Sequence, residues 1–246
     1  MPSPKRDFYP PELTERSRSV LDRVHDALPD AVLIGGWAMW VRTGGAMSHD
    51  IDLIVTRPQL AVISRLSADT SESRHLAGRK WRGVIDGIHL DLYVPHQSLL
   101  GQHLQLRTEW LIERREQVKG WVLLDLAGHL ATKFAALLDR PDSIPGDKDR
   151  GEIMALLALG VDPGEAVGVM HRASARSATE VSQLIAEAFD YLRDLDLDRR
   201  GRQALTEMAT DWVARSQPME QGGSDTAEVS SRRRSPPRPR GPDLGR

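Results

Sequence analysis

The sequence predicts an α/β protein, in the α+β arrangement: a small mixed sheet flanked by helices, followed by a C-terminal α-helical bundle. Three observations predict it. Short apolar runs and alternating strands fill the first half, punctuated by Gly-Gly and Asp-Gly. Beyond Asp125 only helical apolar spacing recurs. From about Gln217 the chain turns to Gly, Ser, Pro and Arg, a composition unable to bury a core. The expected layout is an α/β domain over 1–124, a helical domain over 125–216 and a disordered tail over 217–246.

The elements follow in order. Pro10-Pro11 opens a helix with Leu13, Val20, Leu21, Val24 and Leu28 on one stripe. Ala31-Val32-Leu33-Ile34 reads as a buried strand closed by the Gly35-Gly36 turn. Trp37 to Arg42 reads as a helix that Thr43-Gly44-Gly45 breaks. Asp50 to Val55 alternates acidic and apolar residues, the period of a strand. Pro58 starts an amphipathic helix, and the polar stretch 67–80 reads as loop. Trp81 to Val94 reads as a hairpin turning at Asp86-Gly87. Trp121 to Leu124 reads as an edge strand. In the helical half, Leu130, Phe134 and Leu137 form one stripe. A Pro/Gly/Asp loop over 141–147 follows, then stripes at Ile153, Leu156 and Leu157, at Val181 to Leu192, and at Leu205 to Val213.

Composition narrows the chemistry. The 246 residues include 33 basic and 35 acidic side chains, a net charge of -2, which argues against a uniformly basic nucleic-acid binder. The chain has no cysteine, which removes disulfides, thiolate zinc sites and cysteine nucleophiles. Any metal must sit on carboxylates or histidines, and oxygen ligands favour Mg2+ or Mn2+. The histidines show no pairing at metal-helix spacing. The first residues lack the apolar segment of a secretion signal, and charges interrupt every apolar run. A cytoplasmic protein with no membrane partner is expected.

The most informative stretch is Ile34-Gly35-Gly36-Trp37-Ala38 followed by Ser48-His49-Asp50-Ile51-Asp52. Side chains two apart on a strand share a face, so Asp50 and Asp52 present two carboxylates together. Ile51, Leu53 and Val55 then face a core. Like charges at that range repel and raise each other's pKa, and a cation between them removes the penalty. Asp91, in the alternating run Ile88 to Val94, can join them if its strand lies alongside. Three carboxylates can hold two Mg2+ ions, which clamp the attacking and leaving oxygens of a phosphoryl or nucleotidyl displacement. Glycines before a helical start let backbone N–H groups approach phosphate oxygens. Each feature alone has a plain alternative, a solvated strand face or an ordinary turn; their joint occurrence is the signal. Most tryptophans read as packing residues, with Trp81, among Arg79, Lys80 and Arg82, the one kept as a substrate contact.

This pattern resembles the nucleotidyltransferase superfamily of the DNA polymerase beta type, with its Gly-Gly or Gly-Ser turn, Asp-x-Asp strand and third Asp on a neighbouring strand. The resemblance implies that Asp50 and Asp52 bind Mg2+ (or Mn2+), that Asp91 binds the catalytic metal and helps activate the acceptor hydroxyl, and that an NTP is the donor. Gly35, Gly36 and Ser48 would contact the nucleotide. Trp37 stands where many members have Ser or Thr, so that phosphate contact falls to backbone N–H groups or to Ser48. In the helical half, Lys133 in the helix 130–140 and Lys148-Asp149 beyond it look like the AbiEii-type toxin nucleotidyltransferases. By that match Lys133 and Lys148 contact the triphosphate and Asp149 is a further active-site acid. Arg42, after the glycine turn, is a weaker third cation to offset the triphosphate charge. Two plainer readings stand beside this: Lys133 snorkelling from a helix face, and Asp149 as a charge favoured at a helix N-terminus. The resemblance covers about residues 20–160.

The implied function is magnesium-dependent transfer of an NMP from an NTP to an acceptor hydroxyl, in a toxin-type branch that modifies tRNA and acts beside an antitoxin protein. The alternatives are an enzyme that modifies a small molecule, an aminoglycoside or lincosamide antibiotic, and a non-catalytic nucleotide-binding regulatory module. The mutual repulsion of three retained carboxylates argues against the last.

Overall fold

The computed structural model describes residues 9–75 and 78–217. The expected disordered tail therefore lies, from residue 218 on, outside the described residues.

The first half builds α1 (Pro11–Ala27), β1 (Val32–Ile34), α2 (Gly35–Thr43), β2 (Ile51–Ile54) and α3 (Arg57–Leu66). Then come β3 (Asp69–His75), β4 (Gly78–Ile85), β5 (Ile88–Tyr93), the short strands β6 (Leu99–Leu100) and β7 (Leu106–Arg107), and the single-turn α4 (Thr108–Leu111). β8 (Arg115–Val118) and β9 (Trp121–Leu124) complete the strands. The second half is α5 (Leu126–Asp139), α6 (Ile144–Ala158), α7 (Pro163–Ala173), α8 (Ala178–Leu192) and α9 (Arg199–Ser216).

The seven-stranded sheet has the order β3-β4-β5-β2-β1-β9-β8, and β6 pairs with β7 in a second sheet. It is mixed: β2 runs parallel to β5 and β1 parallel to β9, while the other pairs are antiparallel. Alternation divides the apolar residues between its two faces. Leu33, Ile51, Leu53, Leu90 and Leu92 pack on one side with Val20, Leu21 and Val24 of α1, Trp37 of α2 and Ile63 of α3. Val32, Ile34 and Ile54 pack on the other with Leu130, Phe134, Phe189 and Trp212 of the helical half. Each such side chain, fully buried, contributes about 1.5–3 kcal/mol. Asp52 lies on the face shared with Ile54, so it points toward the helices.

Three expectations need correction. The polar stretch 67–80 is not a loop; it supplies β3 and the start of β4. β3 is an edge strand made of polar residues, Asp69, Ser71 and Glu72 among them exposed, so no apolar alternation marks it. Trp121 to Leu124 forms a strand but not an edge, because β8 covers it on one side and β1 lies on the other. The stretch 141–147 is loop only at its start. The Ser143 side chain accepts from the Gly146 N–H and Pro145 sits in the first turn, so α6 begins at Ile144. Among the described residues no helix is long and apolar enough to cross a membrane.

Candidate active site

β1 runs directly into α2 at Gly35, with no turn between them. Gly35 has φ 67, and a Cβ there would stand 2.2 Å from Oδ2 of Asp52. A Cβ on Gly36 would meet Ser48 Oγ at 2.6 Å and Lys148 Nζ at 2.9 Å. Both glycines are thus favoured by close approach, and Gly35 also by its backbone conformation. One carries a carboxylate against its backbone and the other a lysine ammonium. No side chain caps the start of α2, so its first N–H groups have no intrahelical partner.

These residues line a cavity of about 250 Å³ between the sheet and the first two helices of the helical half. Gly35, Gly36, Ser48, Asp50, Asp52 and Asp91 border it from the first half, and Lys133, Lys148 and Asp149 from the second. These nine of the residues that the sequence singles out therefore share one concavity. The parallel pairing of β2 with β5 sets Asp52 opposite Asp91, which is why two acids 39 positions apart meet.

The carboxylates are not equivalent. Asp50 Oδ1 accepts from Ser48 Oγ at 2.8 Å. Asp91 is bonded by Lys80 through Oδ2 and by Arg82 Nε through Oδ1 at 3.3 Å. The Asp52 carboxylate has no side-chain hydrogen bond or ion pair to any described residue. Burial, then the charges of Asp50 and Asp91, push its carboxyl up to about 8, against partial relief from Lys80 and Lys133. A half-buried carboxylate that faces the cavity beside like charges and has no cationic partner suits a bound cation, and oxygen donors suit Mg2+ or Mn2+. As they stand, no three Asp, Glu or His side chains among the described residues converge tightly enough to hold a metal ion. The fit therefore belongs to Asp50 and Asp52, with Asp91 held by side-chain cations instead.

The helical wall is a closed ion-pair network. Lys133 is buried, its side chain 5% exposed, and pairs with Asp149 at 3.2 Å and with Glu152. Burial pulls the Lys133 ammonium down, but Glu152 and Asp149 outweigh it and the net shift is upward. Asp149, 1% exposed, also pairs with Arg140 at 2.8 Å. Lys148 is 3.7 Å from Glu152 and 5.2 Å from the centre of the Tyr9 ring. Lys133 is therefore no snorkelling side chain and Asp149 no solvated helix-start charge.

Arg42 and Trp81 do not line the cavity. Arg42 turns to the other side of α2, donating to the Leu124 carbonyl, to His129 Nδ1 at 3.2 Å and to Glu116 at 2.7 Å. Trp81 is buried on the opposite sheet face, opposite Leu92 and under Arg57, so it is a core residue. Sequence reasoning missed Lys80, Arg140, Glu152 and Tyr9. Only Glu152 carried a local signal, lying four residues after Lys148 on one helix.

No family model matches the chain, and no curated protein matches it. Among solved structures it is similar to an antigenic nucleotidyltransferase-like protein from Paracoccidioides brasiliensis, with TM-score 0.45 and 14% identity over 81% of this chain and 93% of that one. It is also similar to a proposed nucleotidyltransferase from Thermotoga maritima, with TM-score 0.39 and 16% identity over 60% of this chain and 95% of that one. These structural neighbours are nucleotidyltransferase-like. With TM-scores under 0.5 and identities under 25%, the likenesses carry no functional weight; the chemistry of the cavity does.

Proposed function

We propose that the chain is a nucleotidyltransferase that moves a nucleoside monophosphate from an NTP to an acceptor hydroxyl. One observation carries this reading: the Gly35-Gly36 backbone is sandwiched between Asp52 and Lys148. On one side stand carboxylates short of a cation. On the other stand a helix N-terminus without a side-chain cap and a lysine whose anionic partner, Glu152, lies 3.7 Å away. A metal-chelated triphosphate satisfies both at once.

When bound, a divalent cation on Asp50 and Asp52 would supply positive charge against the phosphate oxygens. The remaining roles belong to the chain. The Gly35 and Gly36 N–H groups and Lys148 bind the phosphates, and Ser48 holds Asp50 in place through its 2.8 Å hydrogen bond. Lys133, fixed by Asp149 and Glu152, holds the helical wall of the phosphate side in place. The acceptor oxygen forms a bond to the α-phosphorus as the α–β P–O bond breaks. Pyrophosphate leaves with the bonding pair, and the hydroxyl proton passes to Asp91. The toxin-type branch, with a tRNA acceptor and an antitoxin partner, is proposed from the Lys133, Lys148 and Asp149 pattern.

Incubation with each α-labelled NTP, Mg2+ and either total tRNA or an aminoglycoside and lincosamide panel tests this. Label on tRNA supports the toxin-type branch, and label on an antibiotic supports the small-molecule alternative. Nucleotide binding without label on any acceptor would favour the regulatory module and defeat the proposal.

A further inference from the structure

The sheet side of the cavity holds a cation of its own. Lys80 and Arg82 lie two apart on β4 and share the face of Asp91, with Arg82 directly opposite it. Lys80 donates to Asp91 Oδ2, and Arg82 Nε donates to Oδ1 at 3.3 Å. Both oxygens of Asp91 are thus taken by side-chain cations. The Lys80 side chain is 15% exposed, and it lines the same cavity as Asp50 and Asp52. Its ammonium also lies 5.6 Å from the centre of the Tyr93 ring, a second contact that holds it in place. Asp50 and Asp52, by contrast, are paired with no lysine or arginine among the described residues.

We propose that Lys80 stands in the place of a second metal ion, so that the site takes one divalent cation, on Asp50 and Asp52, and Asp91 works as a carboxylate held by lysine. This rests on the nucleotidyltransferase reading and departs from the two-metal expectation that the resemblance carried. Charge favours it. Three carboxylates, two cationic side chains and one divalent cation leave a single positive charge to face the phosphates. A second divalent cation would raise that to three and would have to break two charge-assisted hydrogen bonds first.

The test is a count of bound Mn2+. The full chain, stripped by chelator, is titrated with Mn2+ alone, and free Mn2+ is read by electron paramagnetic resonance. The account expects one Mn2+ per chain in the wild type, one in Asp91→Asn and two in Lys80→Met. Two sites in the wild type, loss of the site in Asp91→Asn, or a folded Lys80→Met that still binds one would each overturn it. The wild-type and Asp91→Asn counts decide the matter even if Lys80→Met does not fold. Absence of Mn2+ from every variant would instead sink the underlying reading of Asp50 and Asp52 as a metal site.

Discussion

The two walls of the cavity handle charge in opposite ways. On the helical wall, Lys133, Asp149, Glu152 and Arg140 neutralise one another in a buried network. On the sheet wall, Asp52 has no partner, and burial beside Asp50 and Asp91 pushes its carboxyl up to about 8. A closed network positions; an open charge waits for a ligand. The contrast assigns structural weight to α5 and α6 and binding weight to β2, and substitutions on each wall can break it.

The largest effect belongs to the open charge. Asp52→Asn should reduce nucleotidyl transfer roughly a thousandfold or more, about 4 kcal/mol of transition-state stabilisation, while the fold stays intact. Transfer of labelled NMP by the variant at the wild-type rate would remove Asp52 from the site.

Lys133→Ala should act mainly on stability. Removing the ammonium leaves Glu152 and part of Asp149 buried without their partner, which costs about 3–5 kcal/mol. Urea unfolding of the variant measures it, and an unchanged midpoint would show that the network is not closed in solution. Lys148→Ala should show the reverse balance. Its ammonium stands beside Gly36 at the start of α2 and is only loosely paired. A lost charge-assisted phosphate contact of roughly 1.5–3 kcal/mol corresponds to about tenfold to a hundredfold in kcat/KM, with little change in stability.

A further effect is a pH slope. In the metal-free protein the folded state holds a proton on Asp52 that the unfolded chain releases above its ordinary carboxylate value of 3.8. Folding stability therefore falls as pH rises from near 4 to about 8 and levels off above. Asp52→Asn should flatten this part of the stability curve, measured by chemical unfolding in the presence of a chelator.

The same contrast explains what the sequence made legible. Asp50, Asp52 and Asp91 stood out because each sits in a short alternating strand, where local periodicity reports the face. Gly35-Gly36 stood out because the turn follows an apolar strand. The pairing of β2 with β5 was not legible, since it depends on register across the sheet. Edge strands β3 and β8 escaped because their residues are largely polar or exposed, which removes the apolar signal. Lys80 and Arg140 escaped for a different reason: an ion pair between elements leaves no period in either one. Lys133 and Asp149 were visible as charged residues, but their burial against each other was not.

Thermal unfolding of the wild type and Asp52→Asn, each with and without Mg2+, tests most directly the claim that the open charge on the sheet wall is a cation site. The account predicts that Asp52→Asn without metal melts at the wild-type temperature or slightly above it, because the cost of keeping that carboxyl among Asp50 and Asp91 in the folded state is gone. It predicts that Mg2+ raises the wild-type melting temperature and leaves the variant unmoved. An equal rise in both proteins, or a metal-free variant that melts well below the wild type, would contradict it.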